Sequence, residues 1–301
     1  IIVFALIFGE GIKGLALGVL AGGVLQLAAQ IPVLYKKGFR LRFLRHLNHP
    51  AARAIGKLML PRVISSSIYQ LNNFVDSIFG SLAWIVGEGG VAVLYFSYRL
   101  IQFPLGIFSN ALSQAILPTF STQALEDNYD KLKLTLSWGL RSLFFVMLPA
   151  SVGFMVLAKP IVSTLFGGGR FDSYSVGLTA NALFFYSIGL FAYGATKVLQ
   201  SCFFALKDTV TPMKISFLAL VTNIILNSIF MFPFKIGGLA LATSISGINS
   251  FLFLFFILRK RVGDFKVKEI FISFLRILAA SVCMGAVCYF LSSKNTILGS
   301  S

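Results

Sequence analysis

The sequence predicts an all-α polytopic membrane protein, and three observations carry that fold class. Apolar residues make up 57% of the 301 residues and charged residues only 12%, against roughly 45–50% and about 25% in a soluble domain. The apolar residues fall in long unbroken runs, and mean hydropathy is +0.86. Lys and Arg gather in alternate loops between those runs. A soluble enzyme and a disordered chain are both excluded. The continuous runs also argue against a transmembrane β-barrel, whose strands alternate in polarity over about 10 residues. The net charge of +16 does not imply a nucleic-acid partner, since basic residues of membrane proteins collect in cytoplasmic loops and set orientation.

A helix crossing a ~30 Å hydrocarbon core needs about 20 mostly apolar residues. Residues 1–8 (IIVFALIF) are too few and read as the end of a helix. The run 14–35 is long enough and closes at Lys36-Lys37-Gly38; Gly14, Gly18 and Gly22 form a small-residue ridge suited to close helix contact. The run 58–86 is richer in polar residues and ends at the Gly87-Glu88-Gly89 turn. The run 90–120 carries Pro104 inside it and Pro118 near its end, so a kink is expected there. Further runs lie at 137–160, closing on Lys159-Pro160, and at 175–206, closing on Lys207-Asp208. The runs 213–233 and 236–258 are separated at Lys235, and the last is 270–291. The N-terminus has no Met, no basic region and no small-residue cleavage site, so it is not a signal peptide. A chain that starts inside an apolar run is expected to be a fragment lacking preceding helices.

Charge sorts the loops. Lys36, Lys37, Arg40, Arg42, Arg45, Arg53 and Lys57 follow the 14–35 run, and Arg259, Lys260, Arg261, Lys266 and Lys268 follow the 236–258 run. Segments 121–136 and 207–214 add further lysines, while the intervening loops hold few basic residues. The basic set is therefore cytoplasmic. The stretch KKGFRLRFLRHLNH reads either as a solvated topogenic loop or as a basic segment on the membrane surface.

Catalytic constellations are missing. There is no HExxH, GxSxG or Walker A pattern. His46 and His49 stand in a basic loop with no carboxylate to complete a metal site. Cys202, Cys283 and Cys288 are odd in number and lack metal or disulfide spacing. Gly167-Gly168-Gly169-Arg170 suits a tight external loop better than an anion nest. The chain is expected not to be an enzyme.

Ionisable residues within membrane spans are costly and commonly face a cavity or a partner. Arg99 stands several residues inside the external end of its run, and its planar fork suits phosphate or pyrophosphate. Lys197 lies more than two turns from its cytoplasmic end, with Gln200 as a candidate partner. Arg141 and Arg276 are close enough to cytoplasmic ends to snorkel. Asp76 lies in the outer half of its run. Asn223 and Asn227, at i and i+4, share a helix face, and Thr243 lies one helix later. Such oxygens either bind a hard cation such as Na⁺ or join helices by hydrogen bonds.

At these residues the chain resembles a known family. Leu94 to Gly106 (LYFSYRLIQFPLG), continuing to Ala115-Ile116-Leu117-Pro118-Thr119-Phe120-Ser121, resembles the eighth helix of the MurJ/MviN lipid II flippases. Lys197-Val198-Leu199, Phe204-Ala205, Asp208-Thr209 and Thr211-Pro212 resemble the tenth helix and the loop after it. Gly14-Leu15-Ala16 with Gly22-Gly23 and Gln26 is similar to the sixth helix. Leu165-Phe166 with Gly169-Arg170-Phe171 is similar to an external loop of the family.

The resemblance implies a MOP-type (MATE-like) helical bundle. Residues 1–35 would be the end of helix five and helix six of the N-terminal lobe, and 36–57 a basic cytoplasmic loop. Residues 58–260 would be a complete C-terminal six-helix lobe, and 261–301 a cytoplasmic linker and helix thirteen. It further implies a multi-pass protein of the bacterial cytoplasmic (inner) membrane, monomeric and surrounded by membrane lipids. Its cargo would be lipid II, the undecaprenyl-pyrophosphate-linked peptidoglycan precursor, moved by alternating access. Arg99 matches a family arginine held to grip the pyrophosphate, with Tyr98 where many relatives are acidic, and Lys197 is the second expected substrate contact. Asp76, Asn223, Asn227, Thr243 and the backbone at Leu239 match a family Na⁺ site, with Asn227 where an acidic residue can occur. No cofactor is expected besides Na⁺ as a coupling ion. Other readings are a MOP exporter of a polysaccharide-lipid or a cationic drug, and a membrane enzyme or non-transporting scaffold.

Overall fold

A computed structural model describes residues 12–38, 50–126, 129–169 and 171–298. His46, His49 and Arg170 lie outside the described residues. The chain divides into two compact units, 1–53 and 54–301. In the first, α1 (Ile12–Lys36) is a single apolar helix that ends on a lysine, a favourable charge for a helix C-terminus. Its Leu20, Val24, Leu25 and Leu27 are exposed.

The second unit is a bundle of helices. It contains α2 (Pro50–Gly80) from Ala54 onward, the single turn α3 (Ala83–Val86) and α4 (Gly90–Pro104). A π-helical segment, Leu105–Asn110, leads into α5 (Ala111–Leu125). Then follow α6 (Tyr129–Val156), α7 (Ala158–Phe166), α8 (Ser173–Ile188) and α9 (Leu190–Ala205). The long α10 (Val210–Val262) and α11 (Val267–Leu298) complete it. Among the described residues, five helices are long and apolar enough to cross a membrane, or six if the bent α8–α9 pair forms one span.

Several runs that read as continuous in the sequence are broken, each for a local reason. Run 58–86 stops at Gly80, where Ser81 Oγ donates to the Ile78 carbonyl at 2.7 Å and closes the last turn. Run 137–160 breaks at Leu157. Pro160 has no amide to donate and its ring clashes with the carbonyl four residues back, at Val156, so α6 ends there and α7 starts with Pro160 in its tolerant first turn. Run 175–206 bends by 45° at Gly189. A Cβ there would sit 2.8 Å from Ser244 Cα, so only glycine lets the elbow press against α10.

Pro104 produces a different outcome from the expected kink. Its ring opposes the Leu100 carbonyl, and the helix answers by widening into the π turns of Leu105–Asn110 before resuming as α5. Helix α10 is two arms of a hairpin. Lys235 interrupts it with φ 51° and ψ −128°, two residues after Pro233. Beyond it, a Cβ at Gly238 would lie 2.0 Å from the Phe230 carbonyl oxygen, so the hairpin closes only because that side chain is missing.

The core follows α6. Leu132, Leu136, Leu140, Leu143 and Met147 recur at helical spacing, and all are at most 1% exposed. They meet Leu183, Leu190 and Leu199 of α8 and α9 in one cluster. Phe144 of α6 and Phe191 of α9 stack edge-on against Phe274 of α11 at 5.2 and 5.4 Å. Each such pair contributes about 0.5–1.5 kcal/mol beyond burial, which fixes α11 against the bundle. Phe145, Phe232, Phe253, Phe256 and Phe271 point outward. Many of the 32 phenylalanines thus coat a surface suited to hydrocarbon.

Candidate functional site

The α10 hairpin brings a set of oxygens together at one level of the bundle. Folding back at Lys235 sets Asn223 and Asn227, on the first arm, opposite Leu239 and Thr243 on the second, and α2 carries Asp76 to the same place. Asn227 Nδ2 donates to Asp76 Oδ1 at 2.8 Å and to Asn223 Oδ1 at 2.9 Å. Asn223 Nδ2 donates to Thr243 Oγ1 at 3.0 Å. The Thr243 hydroxyl lies 3.1 Å from both Asp76 Oδ2 and the Leu239 carbonyl. Asn223 and Asn227 are completely buried and Asp76 is 7% exposed.

One acceptor in this cluster has nothing to accept. Asn227 Oδ1 is buried without a hydrogen-bond partner, and an orphaned buried acceptor costs about 1–3 kcal/mol. A cation held among these groups would take that oxygen with the Asn227 amide turned over, since its nitrogen now faces Asp76 and Asn223. The donor set is one carboxylate, two amide oxygens, a hydroxyl and a backbone carbonyl, all hard oxygens with a single negative charge. That fits a small hard cation such as Na⁺ and offers nothing to a metal that prefers nitrogen or sulfur. Sequence reading missed Asn72, one turn before Asp76, whose amide lies 3.4 Å from Asp76 Oδ2; its i, i+4 spacing was the available signal.

Below this cluster lies a cavity of about 200 Å³. Its wall includes Lys197 and Gln200 of α9, Tyr98 and Gln102 of α4, and Thr243 of the cation cluster. Lys197 does not pair with Gln200 as the sequence suggested. Its ammonium donates to Asn110 Oδ1, and the reason is the π segment. Widening the helix after Pro104 shifts Asn110 and Ser109 toward α9, where Ser109 Oγ also donates to the Gly194 carbonyl at 3.1 Å. The contact joins residues 87 positions apart, and no local pattern announces it.

Arg99 is not on that cavity wall; its neighbour Tyr98 is. Tyr98 turns inward, its ring 5.6 Å from that of Tyr186, and Arg99, about 100° further round α4, is exposed on the surface of this unit. The structure therefore brings together Asp76, Asn223, Asn227, Leu239 and Thr243, joins Lys197 to their neighbourhood, and leaves Arg99 apart. Arg141, expected to snorkel, lies 3.4 Å from Glu269 at the foot of α11.

The family profile described as lipid II flippase MurJ matches residues 1–300. The chain belongs to the lipid II flippase MurJ family. A probable lipid II flippase MurJ of Vibrio cholerae is 37% identical over 217 residues, covering 72% of this chain and 41% of the relative. One of Haemophilus influenzae is 32% identical over 283 residues, covering 92% and 54%. The chain thus spans about half the length of the curated MurJ relatives it matches. Among solved structures, a lipid II flippase MurJ in an inward closed conformation aligns with TM-score 0.73 and 26% identity, over 96% of this chain and 57% of that one. A MOP-superfamily transporter from Pyrococcus furiosus aligns with TM-score 0.59 at 19% identity, over 77% and 52%, and shows the shared fold. With its apolar helices, this MurJ-family chain is a multi-pass protein of the bacterial cytoplasmic membrane.

Proposed function

We propose that this chain supplies the C-terminal lobe and flanking helices of a transporter that moves lipid II, the lipid-linked peptidoglycan precursor, across the cytoplasmic membrane by alternating access. The observation that carries the reading is the family match along the chain, joined to cationic groups within apolar helices. Arg99 is open on the surface of the lobe, where a guanidinium fork can take a pyrophosphate in bidentate fashion. Lys197 adds a second positive charge on a polar cavity wall. No covalent chemistry is required of either, so we read the protein as a transporter and not an enzyme.

We further propose that Asp76, Asn223, Asn227, Thr243 and the Leu239 carbonyl hold Na⁺ as a coupling ion. The orphaned Asn227 oxygen and the all-oxygen donor set support it. Na⁺ would supply a fixed positive charge that knits α2 to both arms of α10, so that its binding and release bias the arrangement of those helices. Occupancy by a single polypeptide, without a partner subunit, is part of the same proposal.

The test is complementation. The complete protein carrying Arg99→Ala is expected to reach the membrane at normal levels and to fail to support growth of a strain depleted of its flippase. Full rescue by that variant would remove Arg99 from substrate binding.

A further inference from the structure

Resting on the cation reading above, we infer that Lys197 sets the cation affinity of the Asp76 cluster through a hydrated cavity that the two share. Four observations support this. The cavity reaches both groups: Thr243 and Asn72, which each lie within hydrogen-bond distance of Asp76 Oδ2, are on its wall together with Lys197. Asp76 therefore stands one hydrogen bond behind that wall. Among the described residues that line it, Lys197 is the one Lys, Arg, Asp or Glu.

The cavity is also built for water. Two buried hydroxyls beside it, Thr196 Oγ1 and Ser246 Oγ, have no protein partner, and Gln102, Gln200 and Tyr98 add further polar atoms. A volume of about 200 Å³ holds several waters at roughly 30 Å³ each. Such a space has room for a hydrated cation beside the Lys197 ammonium, whose field the water weakens but does not abolish.

Helix register fixes the separation. Gly189 touches Ser244, and Gly247 touches Tyr193, so α9 and the second arm of α10 run in the same direction side by side. Lys197, one turn beyond Tyr193, is then eight to nine residues, or about 13 Å, from the level of Thr243. A unit charge at that distance, in a medium of effective dielectric about 20, alters the affinity for another unit charge by about tenfold. The Lys197 ammonium repels the arriving cation. Its hydrogen bond to Asn110 favours its position on the cavity wall.

The arrangement has a functional consequence. An anion that pairs with Lys197 cancels the repulsion, so cation and anionic cargo favour each other's binding, and by linkage the effect is reciprocal. This differs from a purely structural lysine, whose removal would loosen the helices and weaken the cluster.

The experiment measures saturable ²²Na⁺ binding to the complete protein in nanodiscs, at constant ionic strength with choline as the replacing cation. Lys197→Gln, which keeps a donor for Asn110, is expected to bind Na⁺ about tenfold more tightly than wild type. Lys197→Arg is expected to match wild type, and Gln200→Lys, which adds a second ammonium one turn further along the same wall, at about 17 Å, to bind about fivefold more weakly. Asp76→Asn is expected to bind none. Unchanged or weaker binding in Lys197→Gln, with binding still abolished in Asp76→Asn, overturns this inference and leaves the cation site standing. Should Lys197→Gln fail to fold, unchanged affinity in Gln200→Lys overturns it equally. Absence of saturable binding to wild type overturns the cation site itself.

Discussion

Asn227 donates its side-chain amide to Asp76 Oδ1 at 2.8 Å, tying the first arm of α10 to α2 across 151 residues of sequence. Replacing that amide by a carboxylate sets two like charges in contact. Asn227→Asp is therefore expected to lower Tm in Na⁺-free buffer and to enlarge the upward Tm shift that Na⁺ produces, since a second anion strengthens a hard-cation site. Thermal shift of the nanodisc-embedded protein in Na⁺ and in choline measures both. An Na⁺ response no larger than that of wild type would contradict the assignment of these oxygens to a cation.

The Lys197–Asn110 contact depends on the π segment after Pro104. Asn110→Ala strips the ammonium of its side-chain acceptor within the bundle, an effect of about 1–3 kcal/mol for a hydrogen bond to a charged group. A Tm lower by several degrees is expected. Asn110→Asp, which restores an acceptor and adds an opposite charge, is expected to recover at least wild-type Tm. Pro104→Ala is expected to follow Asn110→Ala, because removing the ring lets the helix close to α geometry and rotates Asn110 away from Lys197.

Closure of the α10 hairpin can be tested at one atom. A Cβ at Gly238 would meet the Phe230 carbonyl at 2.0 Å, whereas one at Gly106 meets nothing within 4 Å. A backbone carbonyl cannot swing aside as a flexible side chain does. Gly238→Ala is expected to fold poorly and to appear in the membrane at a small fraction of wild-type level, and Gly106→Ala at about wild-type level. Fluorescence size-exclusion profiles of tagged proteins distinguish the two.

How far the sequence reveals this molecule differs by feature. Hydropathy identifies the helical runs, because ~20 apolar residues are what a bilayer demands. Their interruptions at Ser81, Leu157 and Gly189 are decided by a closing hydroxyl, by one proline ring and by one close approach, none of which alters average hydropathy. Asp76, Asn223, Asn227 and Thr243 stand out in sequence because polar groups are rare in apolar helices. Their meeting requires the hairpin at Lys235. The partnership of Lys197 with Asn110 was not legible, since it follows from how Pro104 distorts a helix far away in sequence. The same holds for Tyr98 taking the cavity wall in place of Arg99: periodicity separates the two faces of α4 without saying which one looks inward.

The loop before α10 and the end of α10 are joined by charge, and pH tests that joint. Asp208 accepts from the Thr211 amide and hydroxyl at 3.0 and 2.8 Å and pairs with Arg261. Burial acts to raise its pKa, but these hydrogen bonds and the Arg261 charge outweigh it and hold the carboxyl below its ordinary 3.8. A depressed acid contributes stability above its unfolded pKa and loses it as pH falls through the folded value. Asp208→Asn is thus expected to lower Tm at neutral pH, with the difference from wild type shrinking once pH drops below about 4. A difference independent of pH down to that range would assign Asp208 to packing alone.

The most direct measurement is lipid translocation itself. The complete protein is reconstituted in liposomes with fluorescent lipid II in the inner leaflet, and its arrival outside is followed with a membrane-impermeant quencher. Wild type is expected to expose the lipid over the assay, and Arg99→Ala to reduce the rate at least tenfold with equal protein incorporated. Equal rates for wild type, Arg99→Ala and protein-free liposomes would contradict a lipid-flipping role for this protein.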